Sequence, residues 1–291
     1  MPTSPATSST LTPLLFVLLW STGFIGAKFG LPYAGPLTFL SARYLLVIIL
    51  MAALALATRA PWPRPARQWL HIGVTGILVH GIYLGGVFIA ISRGLPAGIT
   101  SLVVGLQPLL TALGAGWLLG EQVRGKQWLG LGLGFGGVAL VVSSKLGGIA
   151  DAHFAAMLLP ALAALLGITI GTLYQKRFCP SFDLRSGAVI QFVPTLLLTA
   201  ALASATETLQ IDWSGQFVFA LMWLVLVLSL GAISLLNVLI RSGGAVNVAS
   251  LFYLTPPCTA LIAWAIFGET LTGGALIGML IAVIGVALAR R

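Results

Sequence analysis

Apolar residues along this chain gather into long runs that short polar, glycine- or proline-containing segments separate. A run of roughly 18–25 apolar residues is long enough to cross a bilayer as an α-helix. The pattern predicts ten such helices and leaves no room for a soluble domain. Their predicted ranges are 11–30, 37–58, 69–92, 96–119, 126–144, 153–175, 185–205, 215–240, 244–267 and 273–289. We therefore expect an all-α membrane protein with ten transmembrane helices.

Composition agrees with this interpretation, because 58% of the 291 residues are hydrophobic and only 7% are charged. A soluble domain carries about 25% charged residues, so the natural solvent of this chain is a lipid bilayer. The net charge of +9 raises the possibility of a nucleic-acid partner. The basic residues stand singly or in twos and threes beside the apolar runs, which is typical of membrane anchors. We expect no nucleic-acid partner.

The distribution of Lys and Arg predicts the orientation, since these residues accumulate in cytoplasmic loops. With the N-terminus inside, eleven of the fifteen Lys and Arg residues fall on the cytoplasmic side and three on the outer side. Arg43 falls within a helix. Both termini are therefore predicted to be cytoplasmic, in a bacterial-type inner (plasma) membrane. The segment before Leu11 lacks the basic residues of a signal peptide, so the first run is predicted to be retained as a helix.

The second half of the chain repeats the first at a constant spacing of 148 residues. Pro108, Gly120 and Glu121, for example, recur as Pro256, Gly268 and Glu269. Such internal duplication is a common plan for membrane transporters. The repeats are predicted to cover 1–144 and 149–291, with five helices each. Because five is odd, the second copy enters the membrane from the opposite side, so the repeats are expected to be inverted.

Several short motifs recur in a fixed order along these helices. They are Trp20-Ser21-Thr22-Gly23 with Lys28, Pro36 with Arg43, Gln107 to Ala112 with Gly120-Glu121, and Thr255-Pro256 with Gly268-Glu269. Together they resemble the EamA-type branch of the drug/metabolite transporter superfamily, over essentially the whole chain. The resemblance implies ten helices in two inverted repeats, a cavity between the halves, and transport of small metabolites, with exporters of aromatic amino acids as one group. Many relatives carry an aromatic residue early in helix six, where this chain has Leu166-Gly167-Ile168.

Prolines near the middle of two equivalent helices mark the most specific candidate site. Pro108 and Pro256 each remove a helical hydrogen bond, which is predicted to free the carbonyls of Val104 and Phe252, and Pro257 adds a second break. A free carbonyl at membrane depth needs a partner or a wet cavity. Breaks at matching positions of two repeats are a pointer to a binding site. The alternative is a kink that serves helix packing alone.

Polar and aromatic side chains within the spans supply the candidate substrate ligands, because a polar group facing lipid is costly. The candidates are Trp20, Arg43, His80, Tyr83, Gln107, Tyr253 and Thr255. Hydrogen bonding between helices, worth about 0.6 kcal/mol on average, is the alternative role for each polar member. Arg43 could pair with a substrate carboxylate or with helix carbonyls, or reach the outer surface. His80 titrates near neutral pH, so it is either a proton carrier or a buried neutral side chain.

These features predict an exporter of small amphipathic metabolites, with amino acids as the leading substrates, that works by alternating access. Helices five and ten, rich in glycine, are expected to be peripheral packing elements. The alternative within the same fold is a multidrug or toxic-compound efflux transporter, which would need a membrane-embedded carboxylate for cationic drugs. All six acidic residues are expected at helix ends or in loops. We expect no catalytic residues, metal or cofactor, and a monomer whose partners are the substrate and the bilayer.

Overall fold

The computed structural model describes residues 11–95, 100, 103–120, 122–143, 154–179, 181–242, 245–267 and 273–289. Within these ranges the chain is helical apart from short connections and one isolated β-bridge between Ala34 and Ile211. The expected all-α class is confirmed for this part of the chain. Glu121 and Glu269, which close the two repeated motifs, lie outside the described residues.

The helices are numbered here in chain order, and their bounds follow the sequence prediction to within three residues except in α4. They are α1 Leu11–Gly30, α2 Pro36–Ala57, α3 Ala66–Ser92, α4 Gln107–Leu119, α5 Gly125–Ser143, α6 Phe154–Phe178, α7 Leu184–Thr206, α8 Gly215–Ser242, α9 245–267 and α10 Gly273–Ala289. The predicted start of α4, at 96–106, lies partly outside the described residues. Six helices of the described part (α1, α2, α3, α6, α7 and α8) are long and apolar enough to cross a membrane. The chain is a multi-pass membrane protein.

Two of these helices widen into π-helix near their centres, which the sequence did not predict. The π stretches are Ile77–Leu84 in α3 and Leu224–Ala232 in α8. Their last residues, Leu84 and Ala232, are 148 positions apart, so the two stretches occupy equivalent places in the repeats. π-helix is rare and occurs frequently at functional sites. The matching positions indicate that the distortion belongs to the duplicated architecture.

The helices that contain the repeated prolines stop just before them and start again. In α9, an α-helical segment Ala245–Ser250 passes through a tight 3₁₀ turn, Leu251–Leu254, into a second segment Thr255–Phe267. Pro256 is therefore in the first turn of a helix, where the missing N–H has no helical partner to lose. Pro108 holds the same position in α4, after a turn at Gly105 and Leu106.

One detail of the predicted break is wrong. The carbonyl of Phe252 is not free, because it accepts a hydrogen bond from the N–H of Thr255. The 3₁₀ turn closes hydrogen bonds over three residues instead of four, so it reaches this carbonyl from the residue before Pro256. The chain thus satisfies the backbone group that an uninterrupted α-helix would have left without a donor.

Helices α5 and α10 approach each other closely through glycines. A side-chain Cβ at Gly130 would lie 2.6 Å from the carbonyl oxygen of Gly285, and one at Gly137 would lie 2.5 Å from that of Gly278. Small residues of this kind let helix backbones meet in membranes. As α5 advances from Gly130 to Gly137, its contact on α10 moves backward from Gly285 to Gly278, so the two helices run antiparallel. The two contacts are also equivalent by the repeat, because Gly130 corresponds to Gly278 and Gly137 corresponds to Gly285.

Helices α2 and α7 also pack antiparallel, with equivalent residues meeting at the centre. The rings of Tyr44 and Phe192, which are 148 positions apart, have centroids separated by 5.3 Å. At one end of the pair, the guanidinium of Arg185 donates to the hydroxyl oxygen of Thr58 at 2.7 Å. Arg185 also forms an ion pair with Asp183 at 2.7 Å, and this hydrogen-bonded guanidinium lowers the pKa of the Asp183 carboxyl.

At the other end of this pair, Glu207 caps the beginning of α2. Its carboxylate oxygens accept hydrogen bonds from the backbone N–H groups of Leu37 and Thr38, both at 2.8 Å, and from the hydroxyl of Thr38 at 2.6 Å. The first N–H groups of a helix lack helical acceptors, and a negative charge there is favoured by the helix dipole. A residue that follows α7 therefore completes the start of α2 and fixes the two helix ends together.

The α5–α10 contact gives a test with a matched control in the same helix. Gly137→Ala should destabilise the protein by about 1–3 kcal/mol, since its new methyl group meets the α10 backbone. Gly136→Ala should leave stability unchanged or raise it slightly, because a Cβ there would meet no described heavy atom within 4 Å beyond the neighbouring residues and backbone of its own helix, and alanine favours helix. Thermal unfolding in detergent, followed by labelling of the buried thiol of Cys179, measures both. Equal effects of the two variants would contradict the close contact.

The cap on α2 gives a second test. Glu207→Ala removes three hydrogen bonds from the start of α2 and should destabilise the protein by about 0.5–2 kcal/mol, the usual range for a lost helix cap. Ser204→Ala is the control, because among the described residues the Ser204 hydroxyl bonds only the carbonyl of Ala201 in its own helix. The same thermal unfolding assay applies. If Glu207→Ala unfolded at the same temperature as Ser204→Ala, the cap would make no measurable contribution to stability.

Candidate functional site

Two small adjoining cavities lie about midway along α1. The first, called the arginine cavity here, has a volume of about 30 Å³ and is lined by Trp20, Gly23, Phe24, Ala27, Arg43, Tyr83, Leu84, Val87, Phe88, Leu228 and Ile233. The second, called the helix-break cavity, has a volume of about 10 Å³ and is lined by Trp20, Phe24, Tyr83, Val104, Gly105, Phe252, Thr255 and Pro256. Residues of α1, α2, α3, α8 and α9 thus meet at one place with Val104 and Gly105, which lie just before α4.

Aromatic rings form the wall between the two cavities. Trp20 and Tyr83 stack nearly parallel, with an interplanar angle of 8° and ring centroids 6.2 Å apart. The ring of Phe252 meets Trp20 edge-on at 5.3 Å. Because Trp20, Phe24 and Tyr83 line both cavities, a movement of the Trp20–Tyr83 pair would join them into one space.

Hydrogen bonds between α1 and α9 hold this wall beside the helix break. The hydroxyl of Thr259 donates to the carbonyl of Ser21 at 3.3 Å. The hydroxyl of Ser21 bonds the carbonyl of Val17 in its own helix at 2.7 Å and lies 3.3 Å from the carbonyl of Thr255. Ser21 directly follows Trp20 in the chain. These contacts join the part of α1 that carries the indole to the restart of α9.

Arg43 contributes the charge of the arginine cavity. Its side chain is only 2% exposed, so it does not reach the membrane surface. Its Nε–H donates to the hydroxyl oxygen of Ser229 at 2.9 Å, and that hydroxyl donates to the carbonyl of Leu224 at 3.1 Å. Ser229 and Leu224 both belong to the π stretch of α8. The widened helix thus supplies the acceptor that holds the guanidinium at the cavity.

Several buried polar atoms near the helix break have no hydrogen-bond partner among the described residues. They are both amide atoms of Gln107, the hydroxyls of Thr111 and Tyr253, and the hydroxyl of Thr255. An unsatisfied buried polar group costs about 1–3 kcal/mol, so such groups are uncommon and each calls for a reason. Thr255 lines the helix-break cavity, whereas the Tyr253 ring lies against α5, in the path of any Cβ at Gly134.

The structure brings together some of the predicted site residues and separates others. Trp20, Arg43 and Tyr83 line the arginine cavity, and Thr255 and Pro256 line the helix-break cavity. His80, Gln107, Tyr253, Pro108 and Pro257 line neither of them. His80 stacks on Phe192 of α7, with ring centroids 4.2 Å apart and an interplanar angle of 9°. This places the imidazole in the packing between α3 and α7.

Sequence reasoning missed most of the apolar wall and the partner of Arg43. Phe24, Phe88 and Leu228 line the arginine cavity, but phenylalanine and leucine are unremarkable within an apolar run. The sequence does contain one sign that Ser229 is special. Its repeat equivalent is Gly81, so only one of the two copies carries a hydroxyl at this position. The equivalent of Arg43 is Gln191, so the symmetry-equivalent pair, Gln191 and Gly81, lacks both the charge and the hydroxyl of Arg43 and Ser229.

Comparison with known proteins gives a consistent set of relatives. The EamA-like transporter family matches residues 8–143 and again residues 155–291. An uncharacterized transporter of Bacillus subtilis, YvbV, is 29% identical over 98% of this chain and 92% of its own length. A probable amino-acid metabolite efflux pump of Salmonella typhimurium is 29% identical over 94% of this chain and 91% of its own. An uncharacterized inner membrane transporter of Escherichia coli, YedA, is 27% identical over 88% and 81%.

A solved crystal structure shares the fold, with a TM-score of 0.80 over 98% of both chains at 20% sequence identity. The two matched segments cover nearly the whole sequence, and they coincide with the two halves in which the π stretches, the helix breaks and the glycine contacts recur. The chain therefore belongs to the EamA-like transporter family of membrane proteins.

Proposed function

We propose that this protein exports small amphipathic metabolites, with amino acids as the leading substrates, across a bacterial-type inner membrane. The substrate site is the region of the arginine and helix-break cavities, and transport proceeds by alternating access. The observation that carries this proposal is a buried arginine beside stacked aromatic rings at the interruption of α9. Similarity to a relative named a probable amino-acid metabolite efflux pump supports the substrate class.

The proposed mechanism depends on ten helices arranged as two inverted repeats, 1–144 and 149–291, with both termini cytoplasmic. Antiparallel packing of α5 with α10 and of α2 with α7 supports it, because equivalent helices must point in opposite directions in an inverted repeat. Contacts between other helices also follow the repeat, in which α1, α3 and α4 correspond to α6, α8 and α9. α1 packs on α8 and α9, and the equivalent α6 packs on α3 and α4. Two conformations related by this symmetry would expose the same site to opposite sides.

The site is too small for a substrate in the described conformation. A cavity of 10–15 Å³ holds about one water molecule, so the arginine cavity has room for about two and none for an amino acid. Substrate entry therefore needs a separation of the helices that carry Trp20, Tyr83 and Leu228. In this proposal the closed form is an intermediate between the inward-open and outward-open forms.

His80 is assigned a packing role in this proposal. Its ring stacks on Phe192, and its backbone carbonyl accepts a hydrogen bond from the Tyr44 hydroxyl at 2.7 Å. Both contacts join α3 to α2 and α7, and His80 lines neither cavity. Such a position suits a neutral histidine better than a carrier that must exchange protons with each side of the membrane in turn. Facilitated transport is thus favoured over coupling through His80.

Multidrug efflux is the second candidate, and the stacked Trp20–Tyr83 pair is the observation that favours it, since flat apolar molecules stack well on such rings. A cationic drug, however, would meet the Arg43 guanidinium in the arginine cavity. Among the described residues no Asp or Glu lines either cavity. The charge of the site therefore favours amphipathic metabolites that carry a carboxylate.

Reconstitution tests the proposed activity directly. Purified protein in liposomes should give saturable flux of at least one labelled amino acid with an apolar side chain. The rate should be the same with and without a pH gradient, because the proposal assigns no proton to His80. Protein-free liposomes are the control. An absence of flux for all amino acids would reject the substrate class, and a rate that follows the pH gradient would restore His80 or another titrating group as a carrier.

The helix-break groups give a mutational test. Thr255→Ala should slow transport about tenfold, equivalent to about 1.4 kcal/mol of lost interaction with the substrate. Gln107→Ala should do the same, because in this proposal its unpartnered amide meets the substrate once the helices separate. Thr172→Ala is the control, since Thr172 is equally buried but its hydroxyl bonds the carbonyl of Ile168 in its own helix. Initial rates in liposomes at matched protein content provide the comparison. Wild-type rates in both site variants would move the substrate site elsewhere.

A further inference from the structure

Arg43 is a buried cation whose charge the described part of the chain leaves uncompensated. Asp183 and Glu207 flank α7 and Asp212 lies in the following loop, so these described carboxylates stand at helix ends or beyond. The guanidinium has one hydrogen bond to the described residues, from Nε–H to Ser229. Burying a charge is costly unless it is paired. Among the described residues, no acceptor meets the remaining N–H groups.

The geometry of arginine determines what would best supply those acceptors. A guanidinium presents parallel N–H donors that match the two oxygens of a carboxylate, and such bidentate pairs are stronger than neutral hydrogen bonds. The Ser229 bond occupies Nε–H and sets the orientation of the group. No described residue accepts a hydrogen bond from the terminal nitrogens, and Arg43 lines the arginine cavity together with Gly23, a residue without a side chain. One carboxylate fits the chemistry of this position.

The rest of the cavity wall is apolar. Phe24, Phe88, Leu228 and Ile233 line it, and Trp20 stacked on Tyr83 closes it toward the helix-break cavity. These side chains suit an aliphatic or aromatic body next to the carboxylate. No described Asp or Glu is placed to bind an ammonium group. The site thus contains a specific partner for one end of an amino acid and none of comparable strength for the other.

We infer that Arg43, oriented by Ser229, binds the carboxylate of the transported molecule, and that this carboxylate is the essential recognition element. The inference rests on the proposed transport function and narrows its substrate class to carboxylates with an apolar body. The α-amino group is dispensable, so 2-oxo and simple carboxylic acids with the same side chain are ligands as well. The corresponding amines, which lack the carboxylate, are excluded.

A matched ligand series tests this inference with detergent-purified protein. The probes are phenylalanine, 3-phenylpropionate and 2-phenylethylamine, with the equivalent trios built on indole and isobutyl side chains. Ligand-induced thermal stabilisation reports binding, and inhibition of labelled amino-acid flux in liposomes reports occupancy during transport. In at least one trio, the amino acid and the carboxylic acid should bind within about tenfold of each other, and the amine should show no binding at tenfold higher concentration.

Variants of the pair supply the second arm of the test. Arg43→Gln should weaken carboxylate binding at least tenfold. Arg43→Lys should weaken it less, because the charge remains although the bidentate geometry is lost. Ser229→Ala should weaken it several-fold. A buried glutamine already occupies the equivalent position at Gln191, so Arg43→Gln should fold, and the ligand-free unfolding temperature checks this. Ser229→Ala keeps the charge and serves as the milder variant if Arg43→Gln proves unstable.

The outcomes separate this inference from the proposed function. Tight binding of an amine, or carboxylate binding that Arg43→Gln and Ser229→Ala leave unchanged, would overturn the role of Arg43 while transport stands. Flux of amino acids that the matched carboxylic acids fail to inhibit would overturn it too, since the amino group would then be essential. Absence of binding and flux for every member of the three trios would reject the substrate class itself, and the inference with it.

Discussion

The absence of water within the bilayer is the constraint on which this structure depends. A backbone N–H or C=O in hydrocarbon must find its partner within the protein, so a helix can be interrupted only where other helices cover it. The chain interrupts α9 with a 3₁₀ turn that still engages the Phe252 carbonyl, and it widens α3 and α8 into π-helix. These departures all border the two cavities. The irregular backbone and the candidate site therefore occupy the same protected region.

The two duplicated halves cover the irregular backbone, and their relationship is also the basis of the proposed mechanism. Glycine contacts between α5 and α10, and the ring contact of Tyr44 with Phe192, join equivalent helices of the two halves. Against this shared framework the polar residues differ: Arg43 of the first half bonds Ser229 of the second, whereas the symmetry-equivalent positions hold Gln191 and Gly81. In our account the common framework provides two related conformations, and the one-sided chemistry provides recognition of a substrate that has no symmetry of its own.

Much of the fold could be predicted because bilayer thickness imposes a length on every apolar run, as the bounds of α1 and α10 show. Pro108 and Pro256 located the helix interruptions because a missing N–H is visible in sequence. The π stretches were not predictable, since one additional residue per turn leaves an apolar run equally apolar. The contact between Arg43 and Ser229 was missed for a related reason. It joins two helices 186 residues apart in sequence, and only their packing brings them together.

The central claim is that one cavity between the two halves is reached from both sides of the membrane in turn. Cysteine accessibility at Leu228, which lines the arginine cavity, measures this most directly. With Cys179 and Cys258 replaced by serine, Leu228→Cys should react with a membrane-impermeant thiol reagent added from either side, and a transported carboxylate should slow both reactions. Reaction from one side alone, or no protection by any transported compound, would contradict the account.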